Sequence, residues 1–246
     1  MDRMLYVSMT GAKQILEAQG IVAHNLANVA TGGFRADLHA FASQAIPGDG
    51  FPTRINAYNG GAGISVEAGP LAQTGRPLDV AVRGEGWLAV QAPDGTEAYT
   101  RAGDLRLTPD GGLVTATGLP VLGDGGPVSL PPFDQIEIGG DGTITVVPQG
   151  IGAANASAVA RLKLVNPPAA QLVKGADGLV RTNDGAPAPA DAAVTVVGGS
   201  LEGSNVNTAR ALVEMIELQR MFDMQVRLMQ TADQNAQTAQ RLLQSA

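Results

Sequence analysis

The sequence predicts a mixed α and β chain. Long N- and C-terminal helices form a coiled-coil-like layer, and a central antiparallel β domain of hairpins lies between them. Three observations carry this expectation. All 15 prolines fall between positions 47 and 189, and 30 of the 32 glycines between 32 and 203, so both ends are nearly free of helix breakers. Apolar residues at both ends recur in four-three alternation, the a/d stripe of a coiled coil. In the middle, apolar and polar residues alternate between Asp-Gly dipeptides, the pattern of short strands joined by turns.

The first element is an N-terminal assembly helix over residues 1–31. Its stripe is Leu5, Met9, Ala12, Leu16, Gln19, Ala23, Leu26 and Ala30. Much of that stripe is small, and Gly11 and Gly20 each cost roughly 0.8–1 kcal/mol relative to Ala inside a helix. Such a helix is marginal alone and is expected to order when docked.

Residues 32–76 have little periodicity and many small residues, which reads as an extended connector. The antiparallel β domain follows over 77–200. There, Leu78, Val80 and Val82 lead to a Gly84-Glu85-Gly86 hairpin turn, and Trp87 to Gln91 resumes the strand. Asp-Gly occurs seven times in the chain and predicts type I′ hairpin turns. Leu105 and Leu107 then face Leu113 to Thr117 across Asp110-Gly111, and residues 135–138 face 143–147 across Asp141-Gly142.

The last element is a C-terminal assembly helix over 201–246. Ala211, Met215, Leu218, Phe222, Gln225, Met229, Ala232, Ala236, Ala239 and Leu243 keep the four-three spacing with Gln225 as its one polar member. Its helical run, Val206 to Leu243, spans about 38 residues and at ~1.5 Å per residue is about 57 Å long, more than a small domain covers, so part of it needs partners elsewhere. Val213, Ile216 and Val226 widen the apolar surface beyond a two-helix seam.

Composition narrows the function. The net charge of −7 argues against nucleic-acid binding, which needs clustered Lys and Arg. No apolar run approaches the ~20 residues of a bilayer span, so no membrane insertion is expected. Residues 1–20 lack the apolar stretch and cleavage site of a secretory signal peptide. The chain has no Cys, which excludes disulfides, thiolate metal sites and Cys nucleophiles. Its two histidines, His24 and His39, stand in no metal-ligand spacing and read as surface or interface residues. Phosphate-loop and nucleophile-elbow motifs are missing, and Gly84-Glu85-Gly86 joins two strand-like runs where a dinucleotide fingerprint would open a helix. The expectation is therefore no catalytic residue, no metal and no cofactor. Two other classes stay open: a glycan hydrolase built on paired carboxylates, and a secreted adhesin-like binding module, which the long apolar ends do not suit.

One motif is specific. Asn25, Leu26, Ala27, Asn28, Thr31, Gly33 and Phe34 stand at the end of the first helix. Bottom-up, Asn and Gly tolerate the left-handed conformation that closes a helix, and Phe34 would anchor the chain just beyond. The string resembles the signature of bacterial flagellar axial proteins. So do Ser204-Asn205-Val206-Asn207 with 215–220 and 231–234, and in the middle 79–87 and 99–104. The opening residues and modest length look most like a proximal-rod subunit, with a distal-rod or hook-family subunit as the alternative. His24 departs from the Asn common there.

The resemblance implies a structural, non-enzymatic subunit of the flagellar basal-body rod, the drive shaft crossing the periplasm. It implies export by the flagellar type III apparatus without a cleaved signal peptide, and partners among other rod proteins and copies of itself. Residues 25–34 become an assembly motif, and Ala211, Met215, Leu218, Phe222, Met229 and Ala232 the C-terminal seam. Terminal segments partly disordered in the free subunit would fold into the coiled-coil-like layer during assembly.

Overall fold

In the computed structural model, residues 3–45, 55–60, 63–150 and 156–244 are described. The chain divides into two compact units. A helical unit comprises Met1–Ala27, Asp37–Gly63 and Asn207–Ala246, and a β unit comprises Asn28–Ala36 and Ile64–Val206.

In the helical unit, α1 (Arg3–Ala27) packs on α2 (Thr208–Gln244). Two contacts set their direction: Gln19 Nε2 donates to Gln219 Oε1 at 3.1 Å, and Gln225 lies against Gly11. Since 19 meets 219 while 11 meets 225, the helices run antiparallel. Asn207 starts α2, its Oδ1 accepting the Arg210 N–H at 3.0 Å, which satisfies one of the orphan donors of the first turn. A hairpin of Phe41–Ala45 and Ile55–Asn59 completes the unit, with the second strand packed on α1. The stretch 32–76 thus holds paired strands as well as extended chain, while 46–54 and 61–62 lie outside the described residues.

This arrangement corrects the expected coiled-coil-like layer, which the described residues do not form. They form one antiparallel helix pair of unequal lengths with a β-hairpin beside it. On α1 the buried side chains are Ser8, Ala12, Ile15, Ala18, Val22 and Asn25, and only Ala12 belongs to the expected stripe. Met9 and Leu16 are 51% exposed. The physical reason is that α1 carries two overlapping apolar stripes, and the one with smaller residues lets the partner approach closely. Its Ser and Asn make a polar, interrupted face where a coiled coil needs continuous apolar knobs.

The β unit is antiparallel throughout its named strands. Its largest sheet orders the strands Leu164–Val165, Trp87–Gln91, Glu97–Thr100, Val180–Thr182 and Leu172–Lys174. Period-two alternation buries both faces. Leu88 and Val90 join a core with Leu105, Leu113, Ile144 and Leu162, whereas Trp87 and Ala89 join Tyr99, Val165 and Leu172. A three-stranded sheet of Phe133–Ile138, Thr143–Pro148 and Ser157–Arg161 supplies Ile144 and Val146 to the first core. The two ends of the segment Ile64–Val206 pair with each other, Val80–Arg83 with Thr195–Gly198 and Leu71–Gln73 with Ser200–Glu202.

Two turn expectations need correction. Type I′ turns require positive φ at both central residues, yet every positive φ among the described residues belongs to Gly. The amide of Gly95 instead closes on Ala92 O, Gly111 on Thr108 O and Gly178 on Gly175 O, each at 2.9–3.1 Å. Asp94 and Asp177 sit one residue earlier and accept the N–H two residues on, as Asx turns do. These are type I-like turns followed by a left-handed Gly. Gly84-Glu85-Gly86 is also not a hairpin turn, because the strands on either side pair into different sheets. It is a corner.

No helix among the described residues is long and apolar enough to cross a membrane.

Candidate functional site

The expected assembly motif falls on both units, and each half is held by its own contacts. In the helical unit, α1 ends at Ala27, three residues before the expected end of its stripe. Asn25 there is buried and makes a two-point bond with the backbone of Asp37, donating Nδ2 to Asp37 O and accepting the Asp37 N–H, both at 2.8 Å. His24 Nδ1 reaches Asp37 Oδ2 at 2.8 Å, and His39 Nε2 lies 3.2 Å from Glu214 Oε1. Both histidines thus face carboxylates within the helical unit. Leu26 is half-buried and Ala27 exposed.

In the β unit, Thr31 Oγ1 donates to Asn28 Oδ1 at 3.1 Å, and the amide of Phe34 reaches Thr31 O at 3.3 Å. The left-handed residue is Gly33, with φ +68°. A Cβ on it would stand 2.2 Å from the Arg101 carbonyl carbon, so the position excludes any side chain. Phe34 lies under Lys174, whose Nζ is 4.0 Å from the ring centroid and donates to Arg35 O at 2.9 Å.

The C-terminal seam residues lie on α2 in the helical unit. Ala211, Leu218 and Ala232 are buried there, and Met215, Phe222, Gln225 and Met229 are half-buried. Ala236 is exposed, and the side chains of Ala239 and Leu243 lie outside the described residues.

Sequence reasoning missed the strongest polar cluster of the β unit. Glu202, 1% exposed, accepts from Arg35 Nη2 at 2.7 Å and from the Gly69 N–H at 2.8 Å on Oε1, and from Arg101 Nη1 at 2.9 Å on Oε2. Its backbone oxygen takes the Gly33 N–H at 2.8 Å. Four separate segments therefore meet at one residue. Arg101 also donates to Val82 O and Gly84 O, and both guanidiniums lie within 6 Å of the Trp87 ring centroid. Burial pulls the Arg101 guanidinium below its ordinary pKa; the Glu202 carboxylate opposes that fall and the Arg35 charge adds to it. Asn205 clamps a second junction, its Oδ1 accepting the Ala36 N–H at 2.8 Å while Nδ2 reaches Glu67 O at 2.9 Å.

The one local signal for this cluster was position. Arg35 follows the motif directly, and Arg101 and Asn205 sit inside the other two recognised strings. Among the described residues, no cluster of three or more acidic or His groups is placed to hold a metal. What these residues can do is hold distant parts of the chain in register.

Two protein-family models match the chain. One is described as the flagellar hook protein FlgE/F/G D1 domain, over residues 81–146, and the other as the flagellar basal body rod FlgEFG protein C-terminal, over 197–242. The latter region includes Glu202 and Asn205, and the former includes Trp87 and Arg101. The flagellar basal-body rod protein FlgF of Escherichia coli (strain K12) is 40% identical over 249 residues, covering 99% of each chain. FlgF of Salmonella typhimurium (strain LT2) is 39% identical over the same share, and FlgF of Caulobacter vibrioides 36% over 98% of each chain. The chain belongs to the flagellar basal-body rod protein family, is most like its FlgF members, and is a structural subunit of the rod.

Proposed function

We propose that the subunit builds the proximal part of the rod, joining copies of itself and other rod proteins through the apolar surface of its helical unit, with no catalytic step. The observation that carries this reading is the exposure of large apolar side chains on both helices. Leu212, Val213, Ile216, Met224 and Leu228 on α2 are 40–56% exposed, and Tyr6, Met9 and Leu16 on α1 are 51–55% exposed. Apolar surface of this extent on long helices marks an interaction face. Its removal from water is worth roughly 25 cal/mol per Å², and a head-to-tail contact that does not close gives a filament with growing ends. On this reading the 25–34 motif and the α2 seam serve assembly by fixing the conformation that presents the face. The rod location in the periplasm and export through the flagellar type III apparatus belong to the same proposal.

The substitutions Ile216→Asp and Met224→Asp test it, since both side chains are exposed and leave the α1–α2 contact intact. The expected result is an unchanged denaturation midpoint together with loss of the subunit from purified basal bodies and loss of motility. Normal incorporation of both variants would overturn the proposed face.

A further inference from the structure

We propose that Asp124-Gly125 is a modification site of the β unit, at which the folded chain isomerises Asp124 to isoaspartate through a cyclic imide. These residues form the two-residue loop between the strands Leu122–Gly123 and Gly126–Pro127, and both are exposed. Ring closure needs a free Gly amide, an uncommitted carboxyl group and room for the ring. The amides of Gly95, Gly111, Gly142, Gly178 and Gly185 are held by Ala92 O, Thr108 O, Gly139 O, Gly175 O and Thr182 O at 2.9–3.1 Å, whereas that of Gly125 has no acceptor among the described residues. The carboxylates of Asp94, Asp141, Asp177 and Asp184 each accept the N–H two residues on. Hydrogen bonds from Thr96, Thr143, Arg181 and the Ala186 N–H, in turn, hold these four below the ordinary carboxyl pKa. The Asp124 carboxylate accepts no hydrogen bond from the described residues, and a Cβ on Gly125 would meet nothing within 4 Å. Asp49-Gly50 lies outside the described residues.

The Gly125 nitrogen attacks Cγ of Asp124, unhindered by a side chain of its own. A C–N bond forms, a C–O bond breaks, and the amide proton leaves with the carboxyl OH as one water. The carboxyl must be neutral for that departure, so the hydrogen-bonded, ionised carboxylates of the other turns are poor electrophiles. Water then opens the imide at one carbonyl to restore Asp, or at the other to leave the chain running through Cγ as isoaspartate. One water leaves and one enters, so the mass is unchanged and no oxidant or cofactor takes part. The product carries an extra carbon in the main chain of a two-residue loop, where loop length sets the register of the hairpin. The core residues Val121 and Val128 flank this hairpin, the Val128 N–H donating to Val121 O at 2.9 Å, so the change is felt inside the unit.

The test ages the full-length protein at neutral pH, folded and in urea, and locates isoaspartate in its proteolytic peptides by electron-transfer fragmentation. In the folded chain Asp124 is expected to convert several times faster than Asp94, Asp110, Asp141, Asp177 and Asp184. In urea the rates are expected to converge, because the hydrogen bonds that protect the other turns are gone. Asp110 separates the two requirements, since Gly111 keeps its amide bond while no described residue binds the Asp110 carboxylate. Gly125→Ala tests the attack itself. Gly125 has no positive φ and open space around it, so Ala fits there. Its Cβ is expected to slow conversion at Asp124 severalfold while the denaturation midpoint holds. Equal rates in the folded chain, a faster rate at any of the other five, the same ranking in urea, or a rate at Asp124 untouched by Gly125→Ala would overturn the site.

Discussion

Arg35 and Glu202 form a 2.7 Å ion pair across 167 residues of chain, inside the β unit and away from solvent. A pair this buried is no guarantee of net stability, but removing one partner strands the other. Glu202→Gln leaves two guanidiniums without an anion and is expected to cost about 3–5 kcal/mol. Arg35→Met leaves Glu202 paired with Arg101 and is expected to cost less. Urea denaturation followed by Trp87 fluorescence measures both, and the reverse order would refute the assignment of Glu202 as the hub.

Gly33 is the position where the motif and the β unit's interior meet most closely. Gly33→Ala must accept a left-handed φ, at about 1–2 kcal/mol, and also displace backbone at Arg101. Gly95→Ala has a similar φ of +83° but open space around its Cβ, so it carries the conformational cost alone. The first variant is expected to lose clearly more stability than the second. Equal losses would mean that the contact with Arg101 yields freely.

The contrast between these residues shows what the sequence could and could not carry. The location of Pro and Gly separated helical ends from a β middle, and the Asp-Gly dipeptides marked most turns, because both effects act within a few residues. The type I′ assignment failed because it asked Asp to adopt positive φ, when Asx hydrogen bonds offered an ordinary conformation. The face of α1 was ambiguous because Met9 and Leu16 are as apolar as Ile15 and Val22. Only the packing of α2 and the strand Ile55–Asn59 decides between them. The Arg35–Glu202–Arg101 cluster had no periodic signature at all, since its partners are brought together by the pairing of strands remote in sequence.

Stability should fall at both ends of the pH scale, for opposite reasons. Burial pushes the Tyr99 phenol up to about 12, with the Ala188 N–H opposing and the Glu97 carboxylate adding to the rise. The folded state then holds a proton that the unfolded chain releases near pH ~10, so this contribution is complete below pH ~10 and is lost as pH rises through about 12. At the acid end, the Arg181 side chain holds the Asp177 carboxyl below its ordinary value, and hydrogen bonds from Thr96 and Thr143 do the same for Asp94 and Asp141. Their contribution is present above the unfolded carboxylate pKa of ~3.9 and is lost as pH falls through the lower folded values. Denaturation midpoints across the pH range check both arms, with Tyr99→Phe flattening the alkaline one and Asp177→Asn the acid one.

The two glycines of α1 separate helix propensity from packing. A Cβ on Gly20 would meet nothing within 4 Å, whereas a Cβ on Gly11 would stand 3.3 Å from Cδ of Gln225 on α2. Neither has positive φ, so Ala fits the backbone at both. Gly20→Ala is therefore expected to stabilise the helical unit by about 0.8–1 kcal/mol, the propensity difference alone. Gly11→Ala gains the same propensity but must move the flexible end of Gln225, and its net gain is expected to be smaller. Thermal unfolding of the two variants followed by far-ultraviolet circular dichroism distinguishes them, and a larger gain at Gly11 would show that α1 and α2 are not held together at Gln225.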